Sequence, residues 1–376
     1  MNDLINPNVL ELMPYKAGRP VEEIQRLYNI EKVIKLASNE NPFPIPPDVV
    51  EAITREIANI HTYPCSDSYY LREQVAQYNN VKPENVVIGA GSVELIRMIV
   101  KTFLNARQGE KVLTSDKTFV MYKIAAVEEG GNQAIVEIPL GRDYRYDLDR
   151  IARAIYAQTK IIFIANPNNP TGTLLTRKEL MDFIDKIPDN IIVVLDNAYQ
   201  EYVTAAGDGS AADYLDGIQL AVSRKNVIVL RTFSKIYALA GLRVGYAIAD
   251  EEVISYLGRV KAPFNVSRLS QVAALASLKN DEFKNRSARV NAVNRERLFQ
   301  QLTGLGLKVV PSKANFLLFF PGTDTNDLNE RLLKEGVIIR PLHGFGFPDA
   351  IRVTVGTEEE NDFFMEKLVK VFNEMK

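Results

Sequence analysis

The sequence predicts an α/β protein: a large domain with a mostly parallel sheet covered by helices, followed by a smaller α+β domain. Three observations carry that expectation. The runs Val86-Val87-Ile88, Ile161-Ile162-Phe163-Ile164, Ile191-Ile192-Val193-Val194-Leu195 and Val227-Ile228-Val229-Leu230 are continuous rather than alternating, as in strands buried on both faces. Helical stretches separate them, which is the pattern of a parallel sheet. After about Pro263 the texture changes to long, charge-dense helix and short strands. With 376 residues, 46% of them hydrophobic, the chain exceeds the roughly 250–300 residues at which single cores stop growing.

Taken in order, residues 1–30 form an arm expected to join the small domain. Its segment Pro14-Tyr15-Lys16-Ala17-Gly18-Arg19-Pro20 is too rich in proline and glycine to be helical, and a helix over 21–28 follows. Residues 31–265 are assigned to the large, ligand-binding domain. Ile34-Lys35-Leu36-Ala37 is a short strand running into Ser38-Asn39-Glu40-Asn41-Pro42, where proline forces a turn. Pro46-Pro47-Asp48 opens a helix to about residue 58. The turn His61-Thr62-Tyr63-Pro64 leads to a helix with Leu71, Val75 and Tyr78 on one face.

Strand 86–88 ends in Gly89-Ala90-Gly91-Ser92 and feeds a helix that turns Leu95, Ile96, Ile99, Val100 and Phe103 inward. Strand, glycine turn and helix make a phosphate cradle, because the first N–H groups of a helix have no intrahelical partner. Strands follow at 111–114, 134–138, 161–164, 191–195, 227–230 and 244–248, with Phe119 and Tyr122 in the turn and helix after the first of these. The strand at 161–164 runs into Asn166-Pro167-Asn168-Asn169-Pro170-Thr171-Gly172, whose two X-Pro bonds impose an unusual backbone, one of them a candidate for the cis form. Residues 266–376 form the small domain. It starts with a helical region over about 267–302, then strands at 309–310, 316–320, 337–339 and 351–355 around a helix at 327–334. A last helix begins near 358.

Composition narrows the function. A net charge of −2, from 45 basic and 47 acidic residues, gives no field favouring nucleic acid or membrane. One cysteine, Cys65, excludes an internal disulfide and suits the cytoplasm. The opening residues have neither a basic nor an apolar leader segment, so no signal peptide is expected. Two histidines and one cysteine are too few soft ligands for zinc, and no metal is expected. Lysine and arginine are the better candidates for chemistry.

Ligands of open parallel sheets collect at the carboxyl ends of the strands. Those ends carry Gly91-Ser92, Asn169, Asp196 with Tyr199, and Ser234-Lys235. Each has a plain structural explanation. Asp196 can be a helix cap, Asn169 a turn former, Tyr199 a packing residue and Lys235 an ordinary loop lysine. Gly89-Ala90-Gly91 begins like a dinucleotide fingerprint, but Glu94 stands where the third glycine belongs, which weakens a nicotinamide reading. Together the residues fit pyridoxal phosphate. A lysine in apolar surroundings becomes a usable amine nucleophile. Asp196 suits a protonated pyridine nitrogen, Asn169 and Tyr199 suit the ring oxygen, and Phe119 could lie flat on the ring. Ser234, Arg243 and the amides after Gly91 suit the phosphate.

The motifs Asn168-Asn169-Pro170-Thr171-Gly172, Ser234-Lys235 and Ala240-Gly241-Leu242-Arg243-Val244-Gly245-Tyr246 resemble the signatures of fold-type-I aminotransferases of classes I and II. Pro14-Tyr15, Ser38-Asn39-Glu40-Asn41-Pro42, Tyr63-Pro64, Thr232-Phe233-Ser234-Lys235 and Arg352-Val353-Thr354-Val355-Gly356-Thr357 extend the resemblance, as an ordered set, to the histidinol-phosphate aminotransferases. The resemblance implies that Lys235 binds the cofactor as a Schiff base and shuttles a proton. It implies Asp196 at the pyridine nitrogen, Asn169 and Tyr199 at the ring oxygen, and Phe119 against the ring. Ser92, the Val93 amide, Ser234 and Arg243 would hold the phosphate. Tyr63 would reach the cofactor phosphate of a second subunit, making the protein a homodimer with shared sites. Arg352, helped by Tyr15, Arg19 and Arg340, would hold the substrate anion.

Two departures stand out: Asp196-Asn197-Ala198-Tyr199 where the family commonly has Asp-Glu-Ala-Tyr, and Phe119 where tyrosine is frequent. The implied reaction moves the amino group of histidinol phosphate to 2-oxoglutarate. An aromatic or prephenate aminotransferase is the nearest alternative, and a phosphothreonine-type decarboxylase a further one. A pyridoxal-phosphate sensor would carry an added DNA-binding domain, and the aminotransferase-like region begins almost at residue 1 with no basic extension.

Overall fold

The computed structural model describes residues 4–13 and 18–375. Thirteen strands appear along the described chain: β1 (Ile34–Lys35), β2 (Val86–Gly89), β3 (Lys111–Ser115), β4 (Ile135–Ile138), β5 (Thr159–Ala165), β6 (Ile192–Asp196), β7 (Val227–Thr232), β8 (Gly245–Ile248), β9 (Lys308–Val310), β10 (Phe316–Phe320), β11 (Val337–Ile338), β12 (Arg340–Pro341) and β13 (Ile351–Thr354).

Seven of them build one sheet in the order β2-β8-β7-β6-β5-β3-β4. Its pairs are parallel except at β8, which is antiparallel to both β2 and β7. The continuous apolar runs serve two cores at once. Ile162, Ile164, Val193, Leu195, Val227 and Val229 face one core, while Ile161, Phe163, Ile192, Val194, Ile228 and Leu230 face the other. Successive side chains of a strand point to opposite faces, so a sheet covered twice needs an apolar residue at every position. Parallel pairing also brings the carboxyl ends of β5, β6 and β7 to one rim.

The remaining strands form the four-stranded antiparallel sheet β12-β13-β10-β9 and the parallel pair β1-β11. Two boundaries differ from those expected. The arm continues past residue 30: β1 pairs Ile34 with Val337, and Ile34 and Leu36 are buried in the core of the small sheet. The helical region near 267–302 is two helices, Arg268–Ser277 and Asp281–Gly304, because the Asn280 side chain accepts from the Phe283 amide at 2.9 Å and starts a new helix. The first of these puts Ala273 and Ala274 into the large core. The second runs from Ala288 in that core to Leu298 and Leu302 in the small one and so ties the two together. Among the described residues no helix is long and apolar enough to cross a membrane.

Candidate active site

A cavity of about 160 Å³ opens on the carboxyl rim of the large sheet, with Arg352 of the small sheet and Phe345 of the connection between β12 and β13 also lining it. Its floor begins at the end of β2. Gly91 has φ 79°, and a Cβ there would lie 2.7 Å from Arg243 Nη2. Glycine is thus required twice, by the backbone angle and by the guanidinium pressed against it. The helix Ser92–Phe103 starts next, with no side chain capping its first turn. Gly245 is equally tight, since a Cβ would meet Arg231 O at 2.8 Å and Ser92 N at 3.2 Å. Arg243 Nη1 donates to Ser234 Oγ at 3.2 Å, and Thr232 Oγ1 donates to the same hydroxyl at 3.0 Å. Helix N–H groups, two hydroxyls and an arginine therefore meet around a space kept open by two glycines, the donor set of a phosphate site.

Lys235 follows Ser234 at the end of β7 and lines the same cavity. Its Nζ donates to Ser38 O at 3.2 Å and lies 5.7 Å from the centre of the Tyr199 ring. Burial and the Arg352 guanidinium bring this amine down to about 7, with Glu40 pulling the other way. Asp196, 4% exposed, ends β6. Its Oδ2 accepts from Tyr122 Oη at 2.7 Å and its Oδ1 from the Ala198 amide at 3.2 Å. Burial pushes the carboxyl above its ordinary range, while those two bonds and the Lys235 charge favour the carboxylate. A buried acid so held suits a cationic ring nitrogen, and the residues present fit pyridoxal phosphate from phosphate cradle to ring.

Asn169 sits in the loop where both Asn166-Pro167 and Asn169-Pro170 are cis. Its Oδ1 accepts from Arg352 Nη1 at 2.5 Å, so the other end of the amide is the donor. Arg352 Nη2 donates to Ala37 O at 2.8 Å, tying arm, small sheet and large sheet at one side chain. Tyr199 Oη accepts from Asn39 Nδ2 at 2.9 Å. Phe119 lines the cavity, with its ring 5.8 Å from that of Tyr122 and edge-on to it.

The structure thus brings Lys235, Ser92, Val93, Phe119, Asn169, Asp196, Tyr199, Ser234, Arg243 and Arg352 to one cavity. Three other candidates, Tyr63, Arg19 and Arg340, are not among its lining. Tyr63 is 77% exposed and stacked on Phe264 at 4.6 Å. Arg19 pairs with Glu330 at 3.6 Å. Arg340 lies over the Phe345 ring, at 5.9 Å from its centre. Tyr15 lies outside the described residues. Sequence reasoning overlooked Asn39, Tyr122, Thr232 and Phe345. Tyr122 and Thr232 stood within a few residues of named candidates. Asn39 stood in the motif Ser38-Asn39-Glu40-Asn41-Pro42 without a role of its own, and nothing local marked Phe345; both reach the cavity through the packing of the two sheets.

A mostly parallel α/β sheet with lysine, buried acid and phosphate cradle on one rim defines the fold-type-I transferases. A match to the family described as aminotransferase class I and II spans residues 31–368. The chain is 44% identical over 369 residues to a histidinol-phosphate aminotransferase of Anaeromyxobacter, covering 98% of this chain and 99% of that one. To the enzyme of that name from Moorella thermoacetica it is 42% identical, over 96% of this chain and 92% of the other. In structure it is similar to the histidinol-phosphate aminotransferase of Sinorhizobium meliloti in complex with pyridoxal-5'-phosphate. The TM-score is 0.88 at 26% identity, over 99% of this chain and 98% of that one. The chain belongs to the class I and II aminotransferase family.

Proposed function

We propose that the protein is a pyridoxal-phosphate-dependent aminotransferase that moves the amino group of histidinol phosphate to 2-oxoglutarate, giving imidazole-acetol phosphate and glutamate in histidine biosynthesis. The observation that carries the chemistry is the convergence of an amine near 7, a buried carboxyl and an arginine-lined cradle on one cavity. Support for the substrate pair comes from the names of relatives about 40% identical along nearly the whole chain.

When bound, pyridoxal phosphate supplies an electron sink that lets an amino group leave one carbon skeleton and enter another. Ser92, the Val93 amide, Ser234 and Arg243 hold its phosphate in this reading. Asp196, kept in place by Tyr122, pairs with the ring nitrogen. Asn169 and Tyr199 serve the ring oxygen, and Phe119 covers the ring face. Lys235 first anchors the cofactor through its amine. The same amine would act as the base that takes the proton from the substrate Cα and as the acid that gives it back. A base whose pKa lies near the working pH suits that exchange. Arg352 holds the substrate anion with a charge-assisted bond, and Arg19 and Arg340 add positive charge on its outer side. The protein acts as a cytoplasmic homodimer in which Tyr63 of each subunit serves the site of the other; the exposure of Tyr63 away from its own cavity agrees with that role.

The test is a panel of amino donors with 2-oxoglutarate. Histidinol phosphate is expected to give a kcat/KM at least about tenfold above phenylalanine, the difference made by one or two charge-assisted bonds. Phenylalanine equal or superior would assign the protein to aromatic substrates, and release of carbon dioxide from phosphothreonine would make it a decarboxylase.

A further inference from the structure

The helix Ser92–Phe103 has Gly91 at its cap position, so no side chain there can satisfy the amides of its first turn. The turn before it is held in another way. The Gly91 amide donates to Gly89 O at 2.8 Å. The Ala90 amide donates to Oε2 of Glu94 at 2.5 Å. Glu94 is the third residue of the helix, and its carboxylate reaches back past the cap. In a capping box the third residue takes the cap's own amide. Here the cap's amide is already bound to Gly89, and Glu94 takes the amide one residue earlier.

The same oxygen also accepts from Asn265 Nδ2 at 2.6 Å. Asn265 comes after the helix Glu251–Val260, so one carboxylate oxygen ties the turn to a distant segment of the large domain. The turn is folded tightly on the helix: a Cβ at Gly89 would lie 2.7 Å from Leu95 Cγ and 3.3 Å from Glu94 Oε2. Beyond the turn, Gly91 stands against the Arg243 guanidinium. Contacts therefore run without a gap from Asn265 through Glu94, Ala90 and Gly91 to Arg243.

Two consequences follow for an anion in the cavity. With the Ala90 and Gly91 amides committed, the N–H groups offered to a ligand are those of Ser92 and Val93, both at the cavity. A carboxylate in the first turn favours the helix but would repel an anionic ligand if aimed at it. Glu94 is not among the residues lining the cavity, and its two bonds hold it back against the turn.

We infer that Glu94 is a positioning residue for phosphate binding: it fixes the turn that presents the Ser92 and Val93 amides and seats Gly91 against Arg243. The inference rests on the reading of this cradle as the cofactor's phosphate site, and adds a residue that acts on the phosphate only through the backbone.

The test titrates cofactor-free protein, by fluorescence, with pyridoxal phosphate and with pyridoxal, which has the same ring and aldehyde but no phosphate. Unaltered protein should bind pyridoxal phosphate at least about tenfold more tightly than pyridoxal. Glu94→Ala should weaken pyridoxal phosphate about tenfold, the scale of one charge-assisted hydrogen bond. Pyridoxal should change less than about twofold, since Lys235, Asp196 and Phe119 keep their places. Glu94→Gln keeps an acceptor oxygen and should hold pyridoxal phosphate within about threefold of unaltered protein. Asn265→Ala, which removes one of the two bonds to Oε2, should weaken pyridoxal phosphate about threefold and add little to Glu94→Ala. It also carries the test if Glu94→Ala does not fold.

Equal weakening of both ligands would mean general damage to the domain and overturn the inference. So would an unchanged affinity for pyridoxal phosphate in Glu94→Ala, or a loss in Glu94→Gln as large as in Glu94→Ala. Unaltered protein that binds both ligands equally would overturn the phosphate reading of the cradle itself, and the inference with it.

Discussion

At Lys235 opposed influences meet on one amine. Burial, Arg352 and Arg243 disfavour the ammonium, while Glu40 and Asp196 favour it. The first group prevails, and the amine lies about 7 instead of the roughly 10.4 of a solvated lysine. Only the neutral amine attacks an aldehyde. Its fraction rises about tenfold per pH unit below the pKa and levels off above it. Capture of pyridoxal phosphate by cofactor-free protein, followed by absorbance, should therefore climb from about pH 5 and flatten above about pH 8. A climb that continues to about pH 10 would show an ordinary solvated lysine. Borohydride reduction once capture is complete should leave the phosphopyridoxyl mass on Lys235, and Lys235→Ala should show no adduct.

Among the elements, the turn between β2 and the helix Ser92–Phe103 has little freedom. A side chain at Gly91 would be strained at φ 79° and would strike Arg243 Nη2 at 2.7 Å. Gly91→Ala should weaken pyridoxal phosphate binding at least about tenfold in a fluorescence titration, because Arg243, proposed above to hold the phosphate, is displaced. Gly109→Ala is the matched control. Gly109 has φ 73°, and a methyl group there would meet nothing within 4 Å, so the substitution brings the backbone strain without the collision. Its cofactor affinity should stay within about twofold of the unaltered protein. Equal losses in both variants would mean that strain alone, and not the cradle, is being measured.

For the whole molecule, the site straddles two sheets, and residues 57–70 leave several large apolar side chains exposed. Arg352 of β13 reaches Asn169 in the loop after β5 and Ala37 in the arm, so one side chain joins both sheets and the arm at the cavity. Tyr63, Tyr70, Ile57 and Ile60 are all at least half exposed and close together in the chain, a patch of the kind that marks an interface. Sedimentation at micromolar concentration should give twice the chain mass. Tyr63→Phe, which keeps the stack on Phe264 and loses only the hydroxyl, should remain dimeric and hold pyridoxal phosphate less tightly. A monomer with full cofactor affinity would contradict the shared site.

The strands and their ends were legible in the sequence because burial on both faces demands unbroken apolar runs. A strand's end also marks where a ligand-facing residue belongs. That logic located Asp196, Ser234, Lys235 and the Gly91-Ser92 turn, and the resemblance in their motifs supplied roles for them. Local pattern carries no register and no partner across the chain. Only the folded structure set Tyr122 against Asp196, Asn39 against Tyr199 and Arg352 against Asn169, contacts that span 74 to 183 positions. It alone turned β8 antiparallel, joined β1 to β11 and set Arg340 opposite Arg352 with Phe345 against both. Residue type and spacing determine which groups are offered at the rim; strand order and register decide which of them meet.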